Sequence, residues 1–304
     1  MTLFATSTGP APSRAEESRR RRALAAALRT PRYEILPLDG AAEQAEQHIP
    51  RDIPVTVTAS ARRGLEPTVA LAEQLTRRGF RAVPHLSARL VLDEAHLTDI
   101  VRRTQDSGIR DVFVVAGDGP PVGSFADSFE LLSVIARLRR CGVGVGLEQI
   151  GIAGYPEGHP LIGEQALTDA LRSKAGLSTY LVTQMCFDAH AVSAWIDRTR
   201  ASGIQLPVQV GVVGAVDRAK LMRIAWRIGV GPSARFLRRH RSRFARMLLP
   251  GGYRPDRLVD DVAADLAQPA RGVAGLHVYT LGDIAATERW RQRALERLTG
   301  TLPT

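Results

Sequence analysis

The sequence has little cysteine, almost no lysine and no long apolar run, and each shortage removes a class of protein. Its two cysteines, Cys141 and Cys186, are too few for a disulfide framework and lack the paired spacing of a structural zinc site, so a reducing compartment is expected. Only Lys174 and Lys220 are lysines among 41 Lys and Arg residues. Both fall in segments that read as helices, away from strand ends, which disfavours Schiff-base chemistry because that needs a positioned amine. No stretch approaches the roughly 20 apolar residues of a membrane span, and no apolar core precedes a small-residue cleavage site near the N-terminus. The expectation is a soluble, unexported, cytoplasmic protein without a membrane partner. Histidines, cysteines and carboxylates do not gather at ligand spacing, so no metal site is expected.

What is present points to one large α/β domain. Hydrophobic residues are 44% of the 304 and charged residues 24%, a composition able to bury a sizeable core. An α/β barrel routinely runs to about 250 residues as one unit. Residues 1–30 read as an N-terminal extension, partly disordered or helical, that packs loosely on the body as a solvated tail. They open Ser/Thr/Pro/Gly-rich and continue into the basic run Arg19-Arg20-Arg21-Arg22. Glu16 and Glu17 interrupt what could otherwise pass for a transit peptide. Residues 31–304 are assigned to the catalytic domain.

From Tyr33 onward, apolar runs of strand length alternate with stretches of helical period. The strands are expected at 33–38, 53–59, 81–86, 111–117, 150–155, 179–184, 207–213 and 275–281. Helices such as 66–78, 93–105 and 129–140 lie between them. This alternation means parallel strands with crossover helices. The first strand runs into Leu38-Asp39-Gly40-Ala41, with no G-x-G-x-x-G turn of the kind a doubly wound sheet offers, so closure into a (β/α)8 TIM barrel is favoured. Extra helices are expected before the last strand, at 217–227, 233–247 and 256–266.

A barrel places its chemistry at the C-terminal ends of the strands, so the polar residues there are the candidates. Glu34 interrupts an apolar first strand. Pointing inward, it would have its pKa raised by desolvation and could serve as a general acid; turned to solvent at a strand edge, it would have no such role. Asp118 ends the run Val112 to Gly117 at a Gly/Pro turn, where it could also act simply as a local cap. The Gln184 amide offers a donor and an acceptor that could pair with a ring edge such as a pterin, or serve structure alone. Tyr155 and His159 cluster after the fifth strand, and His85 lies in a comparable place after Pro84. The arginine run at 238–246 reads either as a phosphate-binding face or as a solvated one. No nucleic-acid-binding module surrounds it, so no nucleic-acid partner is expected.

Over residues 33–281 these pieces resemble the methylenetetrahydrofolate reductase family. Ala153-Gly154-Tyr155-Pro156-Glu157-Gly158-His159-Pro160 resembles its A-G-Y-P-E-x-H-P signature. Thr183-Gln184-Met185-Cys186-Phe187-Asp188 is similar to its T-Q-x-x-F-D, and His277-Val278-Tyr279-Thr280-Leu281 to its closing H-x-Y-T-L. The resemblance implies a TIM barrel that reduces 5,10-methylenetetrahydrofolate to 5-methyltetrahydrofolate. It implies that Glu34 is the acid assisting opening of the methylene bridge, that Asp118 lies near pterin and cofactor, and that Gln184 orients the pterin. Thr58, His85, Gly117, Tyr155, His159 and Lys174 fall at or near cofactor-contacting positions.

The sequence also departs from the family pattern. Ile35-Leu36 replaces an aromatic pair, Leu38 replaces a second proline, and Thr58 is followed by Ala59-Ser60 instead of an aromatic residue and glycine. Ala116-Gly117-Asp118 stands where the family has R-G-D. Retained catalytic residues beside eroded flavin contacts resemble a divergent, flavin-free branch. In such a branch NADH or NADPH would reduce the folate directly and FAD would be absent. Two rivals remain, an FAD-dependent reductase and a folate-binding barrel without turnover. No ribose-reading acid follows a dinucleotide fingerprint, so the sequence does not choose between NADH and NADPH.

Overall fold

The structure is a computed structural model and describes residues 13–159, 161–216 and 255–300. Eight parallel strands, neighbouring one another in chain order, close into a barrel. They are β1 (Arg32–Ile35), β2 (Val55–Val57), β3 (Ala82–Ser87), β4 (Asp111–Val115), β5 (Gln149–Gly154), β6 (Tyr180–Thr183), β7 (Val208–Val213) and β8 (Val273–Tyr279). Each overlaps its expected position. Several stop short of the expected C-terminal limit, because there the chain leaves the ladder to form the mouth.

Eight helices clothe the barrel among the described residues: α2 (Ala41–His48), α3 (Glu66–Arg77), α4 (Glu94–Asp106), α5 (Ser128–Arg140), α6 (Glu164–Ala175), α7 (Ala189–Ala201), α8 (Pro255–Leu266) and α9 (Ile284–Thr299). Aspartates at 93, 127, 188 and 283 cap α4, α5, α7 and α9, their carboxylates accepting backbone N–H groups of the first turn. α8 matches the expected helix at 256–266. The expected helices at 217–227 and 233–247, and the arginine run at 238–246, lie outside the described residues.

Strand alternation sorts the side chains into two cores. Outward residues such as Ile35, Val57, Val114, Ile152, Leu181, Val210 and Val278 join the helices' inner faces in one large apolar layer. Inside the barrel, Val83, Phe113, Tyr180 and Val182 form a small second cluster. Fully burying one such side chain contributes about 1.5–3 kcal/mol, so the outer layer carries most of the stability.

The N-terminal extension is not a loose tail over its described part. A further helix, α1 (Arg14–Arg29), buries Leu24, Ala25, Ala27 and Leu28. Leu24 and Leu28 are one helical turn apart and make an apolar stripe that the neighbouring arginines mask in the sequence. A buried network fastens it. Arg291 Nη1 donates to the carbonyl of Leu28 at 2.9 Å, Arg291 pairs with Glu288 at 2.6 Å, and the Tyr33 hydroxyl donates to Glu288 at 2.8 Å. One ion pair thus joins α1, β1 and α9.

The N-terminal end of the barrel is closed by a polar plug. Arg32 Nη1 bonds Asp111 at 2.7 Å, Arg32 Nη2 bonds Gln149 at 2.8 Å, and the Tyr180 hydroxyl donates to Asp111 at 2.9 Å. The guanidinium also lies 4.2 Å from the centre of the Tyr180 ring. Gly151 makes room for that ring, since a Cβ there would sit 2.3 Å from it. Arg32 and Asp111 are 11% and 15% exposed, so neither charge can turn to water in its partner's absence. Asp111→Leu should therefore lower the free energy of unfolding in urea by about 3 kcal/mol, while Arg32→Met combined with Asp111→Leu should restore most of the loss.

Candidate active site

The closed end leaves the opposite mouth to carry chemistry. Glu34 lies on β1 beside Thr56 of β2 and Tyr279 of β8. Its side chain points into the barrel, because it meets His85 of β3 across the intervening strand. Oε2 is 3.1 Å from His277 Nε2 and 3.6 Å from His85 Nε2. The strand-edge alternative, with the carboxyl in water, does not occur. Desolvation raises the Glu34 pKa to about 6, with His85 opposing the shift. Burial drives His85 down to about 4 and His277 to about 3, so both imidazoles are neutral where Glu34 titrates. The His85 ring packs 4.7 Å from Phe113, and His277 packs 4.9 Å from Tyr279. Among the described residues the carboxyl has a single hydrogen-bond partner, His277, and it retains 15% exposure.

Past β4 the chain turns at Gly117, whose φ of +90° suits glycine. A Cβ there would also fall 1.9 Å from Ser87 Oγ. This turn delivers Asp118, which is exposed at the mouth. Across from it stand Tyr155 and His159, edge to face at 5.2 Å. Burial raises the Tyr155 pKa, and Asp118 adds to the rise. Burial lowers that of His159, against the pull of Asp118. Gln184, half-buried after β6, extends the β5 pairing through its backbone N–H to the carbonyl of Gly154 at 2.8 Å. Its Oε1 accepts the Met185 N–H at 2.9 Å.

The residues expected to contact a cofactor do not form one group. Tyr155, His159 and Lys174 line a cleft of about 1000 Å³ between β4, β5 and helices α5 to α7. His85 instead belongs to the interior cluster around Glu34. Thr58 follows β2, where its carbonyl accepts the Thr68 hydroxyl at 3.0 Å and anchors α3. Within the cleft, Lys174 Nζ donates to Ser128 Oγ at 3.3 Å, and burial lowers its pKa against the pull of Asp127. Arg198 and Arg89 line the same cleft. Arg198 is paired with Glu164 of the same cleft at 3.3 Å. Arg89 donates to the carbonyls of Gly119 and Ala126, which holds the loop after β4. Among the described residues, no group of three His, Cys, Asp or Glu could hold a metal ion, and no helix is long and apolar enough to cross a membrane.

Sequence reasoning gave no task to three residues that organise the mouth. Glu157 Oε1 accepts the backbone N–H groups of Phe187 and Asp188 at 2.6 and 2.9 Å, tying the loop after β5 to the loop after β6. Tyr279 donates to the carbonyl of Thr183 at 3.0 Å, and His277 meets Glu34. All three stand inside the quoted motifs, and that was their only signal.

Comparison with known proteins gives this constellation a context. The methylenetetrahydrofolate reductase family model matches residues 37–241. A 5,10-methylenetetrahydrofolate reductase of Pectobacterium carotovorum is 28% identical over 154 residues, 49% of this chain and 49% of that protein. Methylenetetrahydrofolate reductase 1 of Schizosaccharomyces pombe is 29% identical over 119 residues, 37% of this chain and 19% of that protein. A Caenorhabditis elegans protein named as a probable methylenetetrahydrofolate reductase (NADPH) is 30% identical over 122 residues, 39% of this chain and 18% of that one. The chain thus spans about half of the first relative's length and about a fifth of the other two. With the family match running across two-thirds of its residues, from just after β1 to beyond β7, the chain belongs to the methylenetetrahydrofolate reductase family.

Proposed function

We propose that this barrel reduces 5,10-methylenetetrahydrofolate to 5-methyltetrahydrofolate, with Glu34 as the acid that opens the methylene bridge. The observation that carries the reading is a carboxyl inside the barrel with its pKa raised to about 6. Such a group is partly protonated near neutral pH and can give up a proton. In the proposed step the Glu34 proton passes to the bridge nitrogen that departs. The carbon–nitrogen bond breaks with its electron pair going to that nitrogen, and an iminium remains at the pterin. A bound nicotinamide supplies the hydride that turns this iminium carbon into a methyl group. Glu34 is left as a carboxylate and takes its next proton from solvent. Asp118 and Gln184 orient the pterin, the second through an amide able to match a donor and an acceptor. A barrel that only bound folate would have little need of a desolvated acid.

The cleft lined by Tyr155, His159 and Lys174 suits a cofactor bearing phosphate, and the name of the nematode relative supports a nicotinamide donor. We read the transfer as direct, from NADH or NADPH without FAD. Ala116 has no side-chain donor where the family pattern has arginine, and Arg89 already donates to loop carbonyls. The size of the cleft favours the rival, an FAD-dependent enzyme, enough that the two must be separated by experiment.

Glu34→Gln should fold and bind folate yet lose about 10²- to 10⁴-fold in turnover, and a loss well inside tenfold would remove the residue from the acid role. Because the protonated form is the active one, kcat/KM in the wild type should fall as pH rises through about 6, a limb the variant should lack. Gln184→Ala should weaken folate binding by about tenfold or more in calorimetry while leaving the nicotinamide dinucleotide nearly unaffected. Equal losses would sink that assignment. For the donor, initial rates over a grid of NADH and folate should give intersecting double-reciprocal lines in protein purified without added flavin and showing no flavin absorbance. Parallel lines, or activity that appears only with FAD, would establish the relay instead.

A further inference from the structure

His277 is fully buried, and its two ring nitrogens have unequal surroundings. Nε2 is 3.1 Å from Glu34 Oε2, whereas Nδ1 is buried with no hydrogen-bond partner among the described residues. The ring is neutral, burial having lowered its pKa to about 3, with Arg32 on β1 pushing the same way. It therefore carries one proton. A buried N–H without an acceptor is rarer and costlier than an acceptor without a donor, so the proton belongs on Nε2 and the bare nitrogen is Nδ1. Nε2–H then donates to Oε2. His85 Nε2, at 3.6 Å from the same oxygen, is too far for a good hydrogen bond.

The other groups around the carboxyl leave this arrangement intact. Tyr279 faces it from β8 with its pKa raised by burial and by Glu34, so its hydroxyl stays protonated, and it donates to the Thr183 carbonyl. Thr56, the register partner on β2, has a hydroxyl with no hydrogen-bond partner among the described residues. Phe113 on β4 backs His85. Among the described residues, Glu34 Oε1 has no hydrogen-bond partner.

We propose that His277 is a positioning residue for Glu34: by donating to Oε2 it reserves Oε1 as the oxygen that carries the proton delivered to substrate. The inference rests on Glu34 being the proton donor. A carboxylic acid whose one oxygen accepts a hydrogen bond keeps its own proton on the other, and here the other is the oxygen left open. When the proton leaves Oε1, the same Nε2–H steadies the carboxylate that remains. No proton crosses His277, and no change of tautomer is needed.

Nitrogen-15 NMR of the wild-type chain should find His277 protonated at Nε2, and protonation at Nδ1 overturns the proposal whatever any variant does. His277→Phe removes the donor and His277→Gln returns an amide N–H near the Nε2 position. His277→Phe should lower kcat by more than about tenfold with KM for methylenetetrahydrofolate changed by less than about threefold. The Glu34 midpoint, followed by carbon-13 NMR and assigned with Glu34→Gln, should rise by about half a unit or more, because the carboxylate has lost its donor. His277→Gln should recover most of both quantities. An unchanged midpoint and kcat in a folded His277→Phe, or no recovery in a folded His277→Gln, would defeat the inference. Wild-type protein that fails to reduce methylenetetrahydrofolate would defeat the proposed function instead, and the two NMR readings would still decide whether His277 donates to Oε2.

Discussion

A carboxyl group withdrawn from water is the constraint on which this structure turns. An ionised carboxylate inside a barrel pays a desolvation penalty, and the protein offsets only part of it, with one close imidazole contact on Oε2 and a second imidazole farther off. The raised pKa of Glu34 is the remainder. Full neutralisation by an arginine would have lowered that pKa and left the acid unable to hold a proton near neutrality. The two histidines avoid this outcome because they are buried deeply enough to be uncharged, so His277 bonds the carboxyl and His85 lies near it without neutralising it.

The cation inside the barrel's lower end is kept apart from that carboxyl. Arg32 lies on the same strand as Glu34, two residues away and at the opposite end, where Asp111, Gln149 and Tyr180 absorb its donors. Strand alternation makes both side chains point inward, and the strand rise of about 3.3 Å per residue separates them along the axis. Arg32 nonetheless disfavours a charge on His277. The plug thus seals the lower end and helps hold the upper histidine neutral, two consequences of one guanidinium.

Around the mouth, the motifs bind to one another rather than acting separately. Glu157 holds the loop that carries Phe187 and Asp188, Asp188 caps α7, and Tyr279 holds the carbonyl of Thr183 just before Gln184. Thr183 Oγ1 in turn accepts the N–H of Gly211 at 2.8 Å, at a position where a Cβ would strike the Thr183 carbonyl. Three stretches far apart in sequence therefore set the position of one glutamine.

The sequence by itself determined the architecture. Apolar runs of strand length alternating with helical periods specify parallel strands and crossover helices, because these local patterns follow from backbone geometry alone. It also exposed Glu34, Asp118, Gln184, Tyr155 and His159 as polar groups at strand ends. Where periodicity was masked, the reading failed: the arginines of α1 concealed Leu24 and Leu28, and packing against α8, α9 and β8 fixed that helix to the body. The direction of Glu34, toward the interior or toward water, was equally beyond the sequence, since either is compatible with a short strand. Closure decided it. Bringing β8 against β1 put His277 beside Glu34, a contact between residues 243 positions apart. Tertiary packing likewise separated His85, which faces Glu34 from β3, from Lys174, which α6 carries to the cleft beside β5, because the distance between a strand residue and a helix residue is set by how the helix packs on the barrel.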